Sequence, residues 1–270
     1  MIERQLDVSS VPTAVLEGGD GPPVVFLHGP GESATNWRWT IPDVATSHRV
    51  VVPDLPAHGS SGTGNRALDA DLTVAWLGEL LLERTCAEPP VVVGHVIGGA
   101  IAARYAARCP GRLRGLVLVD SLGLARFRPS LRFALGFLRF TLRPSERSFE
   151  RFMDQCAYDR KRLQQQMGDD WTAFVAYNVS LARSEQAKAA GQLFRRAGTP
   201  PISSDELEQI TVPVSLIWGR HDRALRLRIA ERASAQFGWP LHVIDDAADD
   251  PARDQPEAFL RALRSVLRET

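Results

Sequence analysis

Short apolar runs rich in β-branched residues punctuate the chain, and stretches of helical spacing separate them. Val24–Leu27 runs into His28-Gly29-Pro30-Gly31, which predicts a strand closed by a turn. Arg49–Pro53 is a second such run, ended by Asp54-Leu55-Pro56-Ala57-His58-Gly59. From about Ala67 to Thr85, Leu72, Trp76, Leu80 and Leu81 recur at three to four residues and predict a helix. Pro90–Gly94 is an unbroken apolar run, Gly98–Arg108 is an Ala-rich helix, and Leu113–Asp120 is again strand-like. Near the end, Val212–Trp218 and Leu241–Ile244 read as strands around a helix at Leu225–Phe237, with a final helix at Pro256–Leu267. Strands apolar on both faces, alternating with helices, predict a mostly parallel sheet covered on both sides.

Between Ser121 and about Ser204 the alternation stops and only helical patterns remain. Arg128, Arg132, Arg139 and Arg143 share one helical spacing, while Phe133, Phe137 and Phe140 follow another face. Residues 121–200 hold 14 basic and 7 acidic side chains, a net +7 in a chain whose formal charge is zero. The expected organisation is a core of residues 1–120 and 205–270, with 121–204 as a helical cap inserted after the sixth strand.

Composition narrows the function classes. Hydrophobic residues at 44% and charged residues at 24% exclude a disordered chain. Charge is balanced and no long like-charge run exists, so no nucleic-acid partner is expected. No apolar stretch reaches the length of a membrane span, so no membrane partner is expected either. Cys86, Cys109 and Cys156 lack metal-ligand spacing and read as buried free thiols in a reducing compartment. With a polar, mixed-charge amino terminus, this points to a soluble cytoplasmic protein.

The stretches FLHGPGESATNW, VVVPDLPAHGSS, VVVGHVIGGAIA, LRGLVLVDS, ITVPVSLIWGRHDR and DDAADDPARDQPEAF occur in an order that resembles the α/β-hydrolase superfamily, of the kind with a helical cap. The resemblance covers nearly everything outside the cap and implies the α/β-hydrolase fold. It also implies a nucleophile at a strained G-x-S-x-G strand-to-helix turn, an acid on a later loop and a histidine last in the chain. Gly94-His95-Val96-Ile97-Gly98-Gly99 occupies the turn and puts Val96, a side chain with no lone pair, at the nucleophile position. Pro251, Asp254, Pro256, Glu257 and Phe259 fix the register of the last motif and put Asp249 at the histidine position. Asp222 keeps the acid position. The backbone N–H of Ile97 should remain as an oxyanion donor, whereas Pro30, at the second donor position, has none.

From these departures the expectation is a non-hydrolytic, cofactor-independent enzyme with no metal. It would cyclise, rearrange, eliminate or isomerise a hydrophobic small molecule in a bacterial biosynthetic route. A non-catalytic binding or scaffold protein is the alternative, and hydrolysis by an atypical route is the third reading. Asp222 and Asp249 should face each other and share a proton as acid and base. A mostly apolar chamber should lie above Val96, lined by Pro30, His95, Val96, Ile97, Asp120, Phe133, Phe137, Trp171 and Tyr177. For His95 and His28 a structural role is the competing reading. For the cap aromatics it is plain packing.

Overall fold

The structure, a computed structural model, describes residues 1–85 and 88–270. Cys86, expected as a buried thiol, lies outside them. The core opens with the strands β1 (Ile2–Val8), β2 (Val11–Gly18) and β3 (Pro23–Leu27), the one-turn helix α1 (Ile41–Val44) and β4 (Arg49–Pro53). It continues through α2 (Ala70–Arg84), β5 (Val91–His95), α3 (Ile97–Arg108) and β6 (Gly115–Val119). After β6 come α4 (Leu131–Leu142), α5 (Glu146–Cys156), α6 (Arg160–Met167), α7 (Asp170–Arg183), α8 (Glu185–Leu193) and the one-turn α9 (Ser204–Leu207). The chain then returns to the sheet through β7 (Val214–Gly219), α10 (Arg228–Phe237), β8 (Leu241–Ile244), the short α11 (Pro251–Asp254) and α12 (Pro256–Glu269).

The eight strands form one sheet in the order β1-β2-β4-β3-β5-β6-β7-β8. From β4 to β8 every neighbouring pair is parallel, while β1 pairs β2 and β2 pairs β4 antiparallel. The inner strands are buried along their whole length, as continuous apolar runs require. Their side chains alternate between two apolar layers. Val92, Leu116 and Leu118 meet α2, α3 and α10 on one face, while Val91, Val93 and Val117 meet Trp37 and the Phe259–Leu263–Val266 stripe of α12 on the other.

The expected strands and helices of the core are present within a few residues of their predicted bounds. The β1–β2 hairpin is an addition that the sequence reading did not contain. β1 is largely exposed, so its alternation carries little apolar signal. Its two turn residues, Ser9 and Ser10, adopt φ of 52° and 62° without glycine or asparagine to mark the turn. Glu17 of β2, nearly buried, is held by the guanidiniums of Arg4 and Arg84. A second departure is Cys109, which is half-buried; Cys156 is buried, and both are free.

The carboxyl ends of the parallel strands gather the loops that carry the candidate chemistry. α3 can start there only because its first turn lies almost on β3 and β5. A Cβ at Gly98 would stand 2.5 Å from the Leu27 carbonyl oxygen, and one at Gly94 would stand 2.6 Å from the Gly98 backbone. Gly98→Ala is therefore expected to lower unfolding free energy by about 1–3 kcal/mol, as overpacking against rigid backbone does. Urea unfolding measures this; an unchanged midpoint would show that α3 can move away.

Candidate active site

The turn between β5 and α3 is strained. Val96 adopts φ 47° and ψ −104°, a conformation in which β-branched residues are outliers and which costs about 1–3 kcal/mol. The turn has not relaxed around the valine. Its backbone is fixed on three sides: the Val96 N–H donates to Val119 O at 3.0 Å, and its carbonyl accepts from Ala100 at 3.2 Å and Leu122 at 3.1 Å. Ile97 opens α3, so its N–H remains among the unpaired donors of a helix N-terminus. Pro30 is exposed in the loop after β3 and contributes no donor.

His95, the last residue of β5, is buried and holds three loops together. Its Nδ1 lies 3.2 Å from Glu32 Oε2 and its Nε2 lies 2.6 Å from the Asp249 carbonyl oxygen. Both partners accept, so both ring nitrogens carry protons. Burial by itself pulls this imidazole toward neutrality, but the Glu32 carboxylate and the Asp249 carbonyl push its pKa up to about 10. Burial alone would raise Glu32; His95, followed by Arg253, overrides it and holds the carboxyl at about 2. Glu32 also accepts from the Gly29 N–H at 2.7 Å and from Arg253 at 2.7 Å, and Arg253 reaches Asp250 at 2.8 Å. His95 is therefore a fixed cation and no base near neutral pH, in place of the pocket-facing role expected of it.

Glu32, His95 and Asp250 offer three donor atoms within 4.8 Å of one another, the one spacing suited to a metal ion among the described residues. The set does not fit a metal. The two carboxylates are already balanced by two cations, Glu32 by His95 and Asp250 by Arg253, and the imidazole is protonated on both nitrogens.

Beside this network stand three carboxyl groups. Asp120, at φ 40° after β6, is fully buried and accepts from the Gly219 N–H at 3.1 Å. Asp222 is buried, and its Oδ1 accepts from Ala224 at 2.6 Å and Leu225 at 2.8 Å. Its Oδ2 has no N–H donor, and only a proton on the Asp120 carboxyl supplies a hydrogen bond there. Burial, then the charge of Asp222, raises Asp120 well above the usual carboxylate range. Asp222 is raised by burial, a rise the Leu225 and Ala224 amides oppose. Asp249 is half-buried and also raised well above its ordinary value, by burial first and then by Asp222. Asp249 and Asp222 are thus coupled, but Asp222 shares its proton with Asp120. Of the acidic loop, Asp245 and Asp246 are exposed while Asp249 and Asp250 turn inward.

The helices after β6 are pinned to these loops by the carboxyl end of α5. Asp249 N–H donates to Cys156 O at 3.2 Å, Tyr158 N–H donates to Asp254 at 2.9 Å, and Arg223 donates to Ala157 O at 3.0 Å. The Cys156 thiol is raised by burial and by its hydrogen bond with the Asp249 carboxyl, which keeps it a thiol. Glu32 and Arg253 were not singled out in the sequence, and Cys156 only as a buried free thiol. Glu32 follows His28-Gly29-Pro30-Gly31 directly, and Arg253 lies inside the last motif, but nothing local marks either as a partner of His95.

Among the described residues the recesses that stand out are an open groove of about 490 Å³ lined by Asp154, Tyr158, Asp159, Arg160 and Lys161, and a small cavity of about 10 Å³ between α6 and Asp254. Neither is lined by Val96. The aromatics of the helices after β6 pack on one another. Phe133 and Phe137 meet the Phe152 ring with centroids 5.3 Å and 5.6 Å away, and Trp171 is buried against Phe174 at 5.8 Å. Phe137 is largely exposed, and Tyr177 lies over the Asp54–Gly59 loop with its hydroxyl near the Gly59 amide. His28 is buried and neutral, its pKa lowered to about 4 by burial. It braces the loop by donating to Gly29 O at 2.7 Å and accepting from Leu55 N–H at 3.0 Å.

A parallel sheet, a strained turn between β5 and α3, and acid loops after β7 and β8 define an α/β-hydrolase. Residues 24–262 match the sequence model of the alpha/beta hydrolase family, and the chain belongs to that family. The 2-hydroxymuconate semialdehyde hydrolase of a Pseudomonas species is 30% identical over 84% of this chain and 80% of its own. The 2-hydroxy-6-oxo-2,4-heptadienoate hydrolase of Pseudomonas putida is 26% identical over 98% of this chain and 96% of its own. Among solved structures, the 2-hydroxy-6-oxo-6-phenylhexa-2,4-dienoate hydrolase from a Rhodococcus species superposes with a TM-score of 0.85 at 23% identity, covering 99% of this chain and 98% of that one.

These relatives are hydrolases, and they overturn the expectation of a non-hydrolytic cyclase, isomerase or lyase and of its binding-protein alternative. The physical reason is direct. Valine at the turn removes a covalent route through residue 96, but hydrolysis consumes water, and water itself can attack. Of the three readings drawn from the sequence, hydrolysis is the one these relatives point to.

Stability should report the His95–Glu32 pair. His95 is raised from 6.5 to about 10, so its contribution is whole below about pH 6.5 and fades as pH rises toward 10. Glu32 is lowered from 4.5 to about 2, so its contribution is whole above about pH 4.5 and fades as pH falls toward 2. The pair contributes fully between those limits. Glu32→Gln is expected to cost about 3–5 kcal/mol, as removing one partner of a buried pair does, and to flatten both limbs of a melting-temperature profile against pH. Parallel profiles for the two proteins would refute the assignment.

Proposed function

We propose that this protein hydrolyses a carbon–carbon bond in a small, mostly apolar 2-hydroxy-6-oxo-dienoate, with water as the nucleophile and Asp249 moving the protons. The observation that carries the reading is a half-buried carboxyl, one loop from the strained turn, that burial and Asp222 push well above the ordinary carboxylate range. The names of the relatives support the substrate class. On this reading residues 121–204 are the cap over the site, and 1–120 with 205–270 are the core.

The chemistry balances on one carboxyl. A bound dienolate takes the Asp249 proton at carbon and becomes a ketone whose breaking bond now leads to a stabilised carbanion. The Asp249 carboxylate then takes a proton from water, and the hydroxide adds to the 6-oxo carbon. The Ile97 N–H faces the developing oxyanion from the helix N-terminus. Collapse of the tetrahedral adduct breaks the carbon–carbon bond, leaving a carboxylic acid and an enolate, with Asp249 protonated again. Asp120 and Asp222 act one step away: their shared proton and the Asp222 charge keep Asp249 basic enough to hold its proton at rest. His95 keeps its own proton throughout.

The test is turnover of 2-hydroxy-6-oxohepta-2,4-dienoate in ¹⁸O-labelled water. One labelled oxygen should appear in the acid product, and the rate should fall as pH rises through the Asp249 pKa, because the first step needs the carboxylic acid. Asp249→Asn should lower kcat by about 10²–10⁴-fold, while Val96→Ala should leave it within a few-fold. Failure to cleave the dienoate, or an Asp249→Asn protein as active as the parent, would overturn the proposal.

A further inference from the structure

α4 carries two apolar faces, and only one is covered. Phe133 and Phe140 turn inward, the latter meeting Phe149 with centroids 5.2 Å apart. On the opposite side Leu131, Leu135, Leu138 and Leu142, spaced four, three and four residues apart, form one stripe, and they are 74%, 43%, 51% and 71% exposed. Four large aliphatic side chains in line on a surface helix mark an interaction surface rather than scattered exposure. One edge of the stripe is cationic. Arg128, Arg132, Arg139 and Arg143 are all exposed, and among the described residues none of them has a carboxylate partner.

We infer that the outer face of α4 rests on an anionic phospholipid surface, with the leucine stripe in the acyl boundary and the arginines among the headgroups. The unpaired cations decide between occupants. A second copy of the chain would bring the same arginine row to the contact and supply no counter-charge, in a segment that carries a net +7 over residues 121–200. Lipid phosphates supply it, and long guanidinium side chains flanking an apolar stripe suit an interfacial helix. The contact is peripheral: α4 has 12 residues, and no helix among the described residues is long and apolar enough to cross a membrane. The sequence reading excluded a membrane partner from the lack of a spanning segment. A helix lying in the interface needs no such segment.

Co-sedimentation of the full chain with extruded vesicles tests this. Binding to vesicles of phosphatidylcholine with phosphatidylglycerol should exceed binding to phosphatidylcholine alone by about tenfold or more, the effect of neutralising two or more arginines at the surface. Binding should weaken with added salt. Leu138→Asp should lower it by about tenfold while leaving the circular dichroism spectrum and melting temperature unchanged, and Arg132→Glu with Arg139→Glu should remove the preference for anionic lipid. Equal binding to both vesicle types, or none to either, overturns the inference. So does a dimer in sedimentation velocity that Leu138→Asp dissociates, which would assign the stripe to a second copy.

Discussion

One buried cation, the His95 imidazolium, sets the geometry on which the rest of the site depends. It ends β5, one residue before the strained turn, and it bonds to Glu32 from the loop after β3 and to the Asp249 carbonyl from the loop after β8. Three loops that approach one another only through the sheet are thereby joined at a single ring. Isolated, such a charge would be prohibitively costly to bury. Glu32 balances it, and Arg253 with Asp250 extends the balance by a second pair, so that every charged atom in the cluster has a partner.

That arrangement also explains the protonation pattern beside it. The His95 charge favours ionised Asp222 and Asp249, yet both carboxyls are still raised, because burial outweighs that one cation and, for Asp249, the Asp222 charge adds to the rise. Carboxyls with opposing constraints in so small a space are a common way to set an acid beside a base at neutral pH. Asp120 completes the set. Burial and the Asp222 charge raise it well above the usual carboxylate range, and a proton on it would reach the otherwise unpartnered Asp222 Oδ2.

How much of this was legible in the chain follows from what each feature depends on. The inner strands are apolar on both faces, and Arg49–Pro53 and Leu241–Ile244 agree with the structure residue for residue. The β1–β2 hairpin escaped notice because an edge strand needs no apolar face, and the two serines of its turn look like ordinary polar residues. The positions of Val96, Asp222 and Asp249 came from the register of motifs, which is local information. The partnership of Glu32 with Arg253 joins residues 221 positions apart and exists only once β3 and β8 lie in one sheet. The packing of the aromatics was equally hidden: aromatic residues at helical spacing can line a cavity or meet one another, and here Phe133, Phe137 and Phe140 meet Phe149 and Phe152.

Val96 itself shows what dictates the turn. If the side chain at 96 dictated the turn, a β-branched residue would have driven φ back to negative values. It has not, because the turn is dictated by backbone contact: Gly98 against the Leu27 carbonyl, Gly94 against Gly98, and the Val96 carbonyl shared by Ala100 and Leu122. Those contacts are worth more than the strain they impose, so the helix start, its free Ile97 N–H and the nearby acid loops persist whatever residue occupies position 96. On the hydrolytic reading proposed above, the attacking oxygen comes from water, and the electrostatics of the reaction rest on groups that the fold, not residue 96, holds in position.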